Sequence, residues 1–305
     1  MKAETGWSLS TVDLGGPVAC LEVAGELYRL GPSLARAGHA ATATVIELFA
    51  DWDRARIALD AAAKTVSAGD RIPANSRRLA PLLYPGKVLC AGANYYDHLK
   101  EMGVPDTRKE AQRLFFFFKP SRNAVVGEGD TVHMPIDTKA FDWEIELAAV
   151  IGRRARNVSA ENALDHVAGY SIGIDFSARD HNRAPETFYK LDWVAGKAHD
   201  TCCPMGPRFV PASAIPDPQD IGLKLSVNGA VKQDARTGDM IFSVKEQIEI
   251  LSRIMTLDPG DVILTGTPAG VGAPKQTFLS IGDKVEAQIE GIGQLTVTIR
   301  EPLTT

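Results

Sequence analysis

Glu144 and Glu146 lie two residues apart in the stretch FDWEIELAAVIG, residues 141–152. Trp143, Ile145, Leu147, Ala149 and Ile151 fall on one side of this run, and Glu144, Glu146, Ala148 and Val150 on the other. That alternation predicts a half-buried strand whose second face begins with two like charges. Alternate residues on a strand are about 6.5–7 Å apart, with side chains on one face. Two carboxylates that close, if partly buried, need a cation or must share a proton. A hard divalent ion, Mg²⁺ or Mn²⁺ with Ca²⁺ as a third candidate, accepts such oxygen ligands. A third oxygen is then expected from a neighbouring strand. GYSIGIDFSARD (169–180) offers Asp175 on the same face as Ser171 and Gly173, which leave room for a ligand. The E-x-E pattern alone leaves open that both glutamates face solvent at a sheet edge.

Two further groups could do chemistry. In ANYYDHLKEMG (93–103), His98 and Glu101 are three apart and share a helix face. A carboxylate beside an imidazole orients it and raises its basicity, as a base activating water requires. In GKAHDTCCPMGP (196–207), a Gly- and Pro-rich loop carries Lys197, which could meet a substrate carboxylate or an oxyanion. GDVILTGTPAGVG (260–272) reads as a strand followed by a Gly-rich loop, without the Lys-Ser/Thr end of a phosphate loop. Gly266, Thr267 and Gly270 are expected to bring backbone close to a small molecule.

These groups need strands to hold them. VLCAGA (88–93), LFFFFKP (114–120) and VAGYSIGID (167–175) read as strands. Asn228-Gly229 marks a hairpin in 223–234, and 284–301 repeats the pattern around Gly291 and Gly293. One clear helix interrupts, opened by a Ser243/Glu246 capping box ahead of Ile248, Leu251, Ile254 and Met255. The expectation is an α+β, β-rich fold: a mixed β-sandwich roll (79–305) with a small N-terminal domain (1–78). Within 42–63, Val45, Leu48, Phe49, Trp52 and Leu59 recur at helical spacing, and 75–87 reads as a linker.

Composition bounds the partners. The 305 residues carry 33 basic against 38 acidic side chains, a net charge of -5 that argues against nucleic acid as a partner. No apolar run is long enough for a membrane, and MKAETGWSLS has no signal-type stretch, so cytoplasmic residence is expected. Cys20, Cys90, Cys202 and Cys203 lack zinc spacing and read as reduced, mostly buried thiols.

In order along the chain, GANYYDHLKEMG, FFFFKPSRNAVVGEGD, FDWEIELAAVIG, GYSIGIDFSARD, GKAHDTCCPMGP, QDARTGDMIFSV and LDPGDVILTGTPAGVG resemble the motifs of the fumarylacetoacetate hydrolase superfamily. The resemblance runs from about Lys87 to the C-terminus. It implies metal ligands at Glu144, Glu146 and Asp175, a catalytic His98–Glu101 pair and a site lysine at Lys197. Tyr95, Lys119, Arg179, Asn182, Gly266 and Thr267 would contact substrate, and the protein would be a homodimer. Asn182 stands where many members carry Gln, and Ala195 where many carry Arg. The second departure predicts a less anionic, or differently placed, distal group on the substrate. Ala91 replaces the fourth carboxylate of some members, so water would complete the shell. The implied activity is hydrolysis of a carbon–carbon bond in a 2,4-dioxo acid, an acylpyruvate. The alternatives at the same site are decarboxylation of an oxaloacetate-type acid and keto–enol isomerisation.

Overall fold

The computed structural model describes residues 6–104 and 108–303. Its central feature is the antiparallel pair Ile145–Ile151 and Val167–Ile174, in which Glu146 stands opposite Gly173 and Ala148 opposite Ser171. The alternation read from the sequence holds, but the strands are buried along their whole length rather than half-buried. The reason is that both sheet faces are covered. Ile145, Leu147, Ala149, Tyr170, Ile172 and Ile174 enter one core, and Ala148 and Val150 enter another with Val88, Val262 and Leu264. Each such Leu or Ile stabilises the fold by roughly 1.5–3 kcal/mol. A slip of one residue would drive the glutamates into one core, so register is strongly specified.

These strands sit mid-way in a 12-stranded sheet. On one side follow Val262–Leu264, Val88–Gly92 and Phe115–Lys119; on the other, Cys203–Pro211 leads to Ser8–Asp13 and the remaining N-terminal strands. The N-terminal segment thus continues the large sheet through the pairing of Leu9 with Phe209. The stretch read as a linker contributes the short strand Arg78–Leu79, which pairs with Ser8–Asp13. The helical run 42–63 is broken at Asp51, whose backbone leaves the helical region and whose side-chain Oδ1 caps the helix Trp52–Ala62 by accepting from Arg54 N–H at 3.1 Å. A 3₁₀ segment, Ile46–Asp51, precedes it.

A 5-stranded sheet built from the 223–234 and 284–301 hairpins and the edge strand Thr131–His133 packs over the first core. Asn228 and Gly229 both take positive φ, 51° and 77°, as a two-residue hairpin turn demands. The capping box at Ser243 starts the helix Val244–Ile254 as expected; Ile248 and Leu251 face the core, while Ile254 is exposed. This is the strand-rich α+β sandwich roll. All four cysteines are buried and free, and burial pushes the thiols of Cys20, Cys202 and Cys203 up to about 12. Among the described residues no helix is long and apolar enough to cross a membrane.

Candidate active site

The register places Glu144, Glu146 and Asp175 together. One oxygen from each lies within 4.8 Å of the other two, and all three residues are buried. The solvent-edge alternative therefore fails. The room expected beside Asp175 is not open, however: a side chain at Gly173 would strike Leu264 at 2.4 Å, and Ser171 is turned to the carbonyls of Gly206 and Arg208. The small residues make space for packing, and the cavity lies elsewhere, against Glu144 and Glu146.

The Gly-rich loop after Val262–Leu264 holds the acids from below. Gly266 N–H donates to Glu146 Oε2 at 2.6 Å, Gly270 N–H to Glu101 Oε2 at 2.9 Å, and Gly272 N–H to Asp142 Oδ1 at 2.7 Å. Gly266 needs to be glycine: its φ is +99°, and a Cβ would meet that of Asn94 at 2.6 Å. Glu101 in turn holds His98, Oε1 to Nδ1, at 2.8 Å within the short helix Tyr96–Glu101. One loop thus fixes both the carboxylate cluster and the orientation of the imidazole.

Buried acids at this density need cations, and three are present. Lys197 Nζ donates to Glu144 at 2.8 Å and to Asp175 at 2.6 Å. Arg179 bridges Asp142 at 2.9 Å and Glu144 at 2.6 Å. Lys119 lies 2.8 Å from Asp175 and donates to the carbonyls of Phe176 and Lys197 at 2.9 and 2.6 Å. Burial would raise Glu144, but Lys197, Arg179 and His98 outweigh it and hold the carboxyl well below its usual range. Glu146 makes no ion pair among the described residues. Burial first, then the charges of Asp175 and Glu144, push it well above the usual range. An all-oxygen cluster in which one member lacks a counter-charge fits a hard divalent cation.

Several residues sit differently from what the sequence suggested. Lys197 ends a short helix, Trp193–Lys197, rather than lying in a loop, and its ammonium meets protein carboxylates. Lys119 is fully buried behind Asp175 and does not line the cavity. Asn182 is turned to the Asp192 carbonyl at 3.0 Å, and Tyr95 lies within the core. Neither reaches the cavity wall, whereas Arg179 and Thr267 do. Asp142 is in phase with Glu144 and Glu146; Arg179 balances its charge, and the Gly272 and Ala273 amides donate to it. Gln233, in QDARTG, accepts from Ile145 N–H at 3.0 Å and donates to Thr267 Oγ1 at 2.7 Å, tying the strand to the loop.

Lys119→Met should expose how much the hidden ammonium supports the cluster. It would remove one of the two cations beside Asp175, leaving Lys197, and would take the ammonium donor from the Phe176 and Lys197 carbonyls, a loss below the about 3–5 kcal/mol of a buried charge left wholly unpaired. A lower urea midpoint with unchanged slope is expected; an unchanged midpoint would refute the assignment.

The cavity has a volume of about 230 Å³ and is lined by His98, Glu144, Glu146, Arg179, Lys197 and Thr267, the remaining large side chains being apolar. Larger depressions of about 430 and 350 Å³, beside His199 and beside Arg208, do not touch the carboxylates.

The model of the fumarylacetoacetate (FAA) hydrolase C-terminal domain matches residues 87–300. The chain belongs to that family. A mitochondrial oxaloacetate tautomerase of Xenopus laevis is 38% identical over 224 residues, 73% of this chain and 68% of the relative. A fumarylacetoacetate hydrolase from Exiguobacterium antarcticum superposes with a TM-score of 0.78 at 34% identity, covering 97% of this chain and 99% of that one. A fumarylpyruvate hydrolase from Pseudomonas aeruginosa, solved with Mn²⁺ and pyruvate, gives 0.64 at 35% identity, covering 73% and 91%. The family resemblance read from the seven motifs is thereby established. The family spans hydrolases and tautomerases, so membership alone does not choose the reaction.

Proposed function

We propose that this chain is a divalent-metal-dependent hydrolase that cleaves 2,4-dioxo acids to pyruvate and a carboxylic acid. The observation that carries the reading is the His98–Glu101 pair at 2.8 Å, with His98 on the wall of the cavity that also exposes Glu144 and Glu146. Tautomerisation moves a proton on carbon and needs no activated water; an imidazole backed by a loop-anchored carboxylate is suited to making one. A cation held by Glu144, Glu146 and Asp175 would supply Lewis acidity toward the 2-oxo acid end.

The chain's own residues account for the rest. Nδ1 of His98 is engaged by Glu101, so Nε2 is the atom that takes a proton from water. That water attacks the 4-carbonyl carbon, and Glu101 stabilises the imidazolium that forms. Lys197, beside Glu144, brings positive charge near the oxyanion. The bond between the third and fourth carbons then breaks, leaving the acid and the enolate of pyruvate. The proton held on His98 returns to the third carbon.

Oxaloacetate tautomerisation is the second reading, favoured by the name of the Xenopus laevis relative. Product analysis separates the two across a 2,4-dioxo acid series, with oxaloacetate alongside. Hydrolysis gives equimolar pyruvate and acid; tautomerisation leaves the carbon skeleton intact, and decarboxylation gives carbon dioxide. Treatment with EDTA is expected to bring turnover to the buffer level, and Mg²⁺ or Mn²⁺ to restore it. Intact dioxo acids beside rapid enol–keto exchange of oxaloacetate would overturn the hydrolase reading.

A further inference from the structure

The apolar part of the cavity is built as a wall. The Phe117 and Trp193 rings stack with centroids 5.1 Å apart and planes 17° apart, and Phe115 leans on Trp193 at 5.2 Å. Gly92 permits this, because a Cβ there would meet the Phe115 ring at 2.1 Å. Lys197 Nζ stands 5.0 Å over the Phe117 ring, so the wall starts where the charged end of the site stops. Both cations on the cavity lining are committed to carboxylates: Lys197 to Glu144 and Asp175, Arg179 to Asp142 and Glu144. Among the described lining residues none is left to meet a second acid group. A carboxylate pressed on this wall would lose its hydration without gaining a partner.

We propose that the site takes 2,4-dioxo acids whose acyl group is uncharged and apolar, seated against Trp193, Phe115 and Phe117. This rests on the hydrolase reading and names its substrate class. The test compares 2,4-dioxoheptanoate with 2,4-dioxoheptanedioate, which differ by a methyl replaced with a carboxylate at the distal end. The monoacid should show a kcat/KM higher by about 100-fold or more, the scale on which a site rejects a group it cannot pair. Equal or better turnover of the diacid would overturn the proposal.

A binding arm keeps the two readings apart. The uncleavable analogues 2-oxoheptanoate and 2-oxoheptanedioate are titrated calorimetrically into the Mn²⁺-loaded protein. The monoacid should bind more tightly, and Trp193→Ala should weaken it about tenfold, the loss expected from removing apolar contact, while leaving the diacid unchanged. If no dioxo acid is cleaved but this preference persists, the hydrolase reading falls and the wall's specificity stands. Equal binding of the two analogues would sink the wall itself.

Discussion

Replacing His98 with alanine is expected to lower kcat on a 2,4-dioxo acid by about 10²–10⁴-fold, the contribution of a positioned general base. Mn²⁺ affinity should stay as it was. The reasoning is geometric. His98 contacts Glu101 through Nδ1 and lines the cavity, but it is not one of the three acids within 4.8 Å of one another. Removing it deletes proton transfer and leaves the cation's ligands in place. Steady-state kinetics and a calorimetric Mn²⁺ titration on the same preparation check both halves. Near-normal turnover would remove His98 from the chemistry, and a large loss of metal binding would place it in the metal site. Glu101→Gln should act in the same direction and on a similar scale: its single oxygen can accept from Gly270 N–H, but its NH₂ then faces Nδ1 and holds the ring proton on Nε2, the atom that must take one from water.

The residues that the sequence exposed most clearly share one property: their contacts follow from a period. Glu144 and Glu146 share a face by the strand period, Asp175 by the same period one strand over, and His98 with Glu101 by the helix period. The two glutamates and the His98–Glu101 pair are legible without knowing which strands are neighbours; Asp175 needs its strand to lie beside theirs, as it does. Asp142 obeys the same period, but Arg179 and two loop amides already satisfy it, which the period does not show. What the period cannot show is a partner from far along the chain. Lys119 reaches Asp175 across 56 positions and Gln233 reaches Ile145 across 88, and only the sheet order brings them together. For the same reason the Gly-rich loop suggests a lining for substrate, whereas its amides mainly hold Glu146, Glu101 and Asp142. The N-terminal strands Ser8–Asp13 and Pro17–Val23 pair with each other over a short turn, and what their local pattern cannot show is that they join the large sheet through Cys203–Pro211, some 190 residues downstream. Burial on both faces of Ile145–Ile151 was likewise hidden, since Ala148 and Val150 are apolar enough for a core yet too few to announce one.

Glu146→Gln is expected to separate stability from metal binding, because the three acids are not held alike. Glu144 and Asp175 are each paired with two cations, so neutralising either one takes a carboxylate away from two buried positive charges. Glu146 makes no such pair among the described residues, and burial beside two other acids disfavours its charge. A glutamine keeps the oxygen that accepts from Gly266 N–H and removes the repulsion. Without added metal, the urea midpoint of this variant should therefore equal or exceed that of the parent. With metal the order reverses. Losing a direct carboxylate ligand should weaken Mn²⁺ or Mg²⁺ by at least about 100-fold, beyond the 10–100-fold typical of losing an outer-shell partner. The parent should then gain stability from saturating metal through linkage while the variant gains far less. Melts with and without Mn²⁺, together with a direct titration, measure both quantities. A variant destabilised in the absence of metal would show that Glu146 has a cationic partner in the fold. A variant that still binds Mn²⁺ tightly would remove Glu146 from the ligand set.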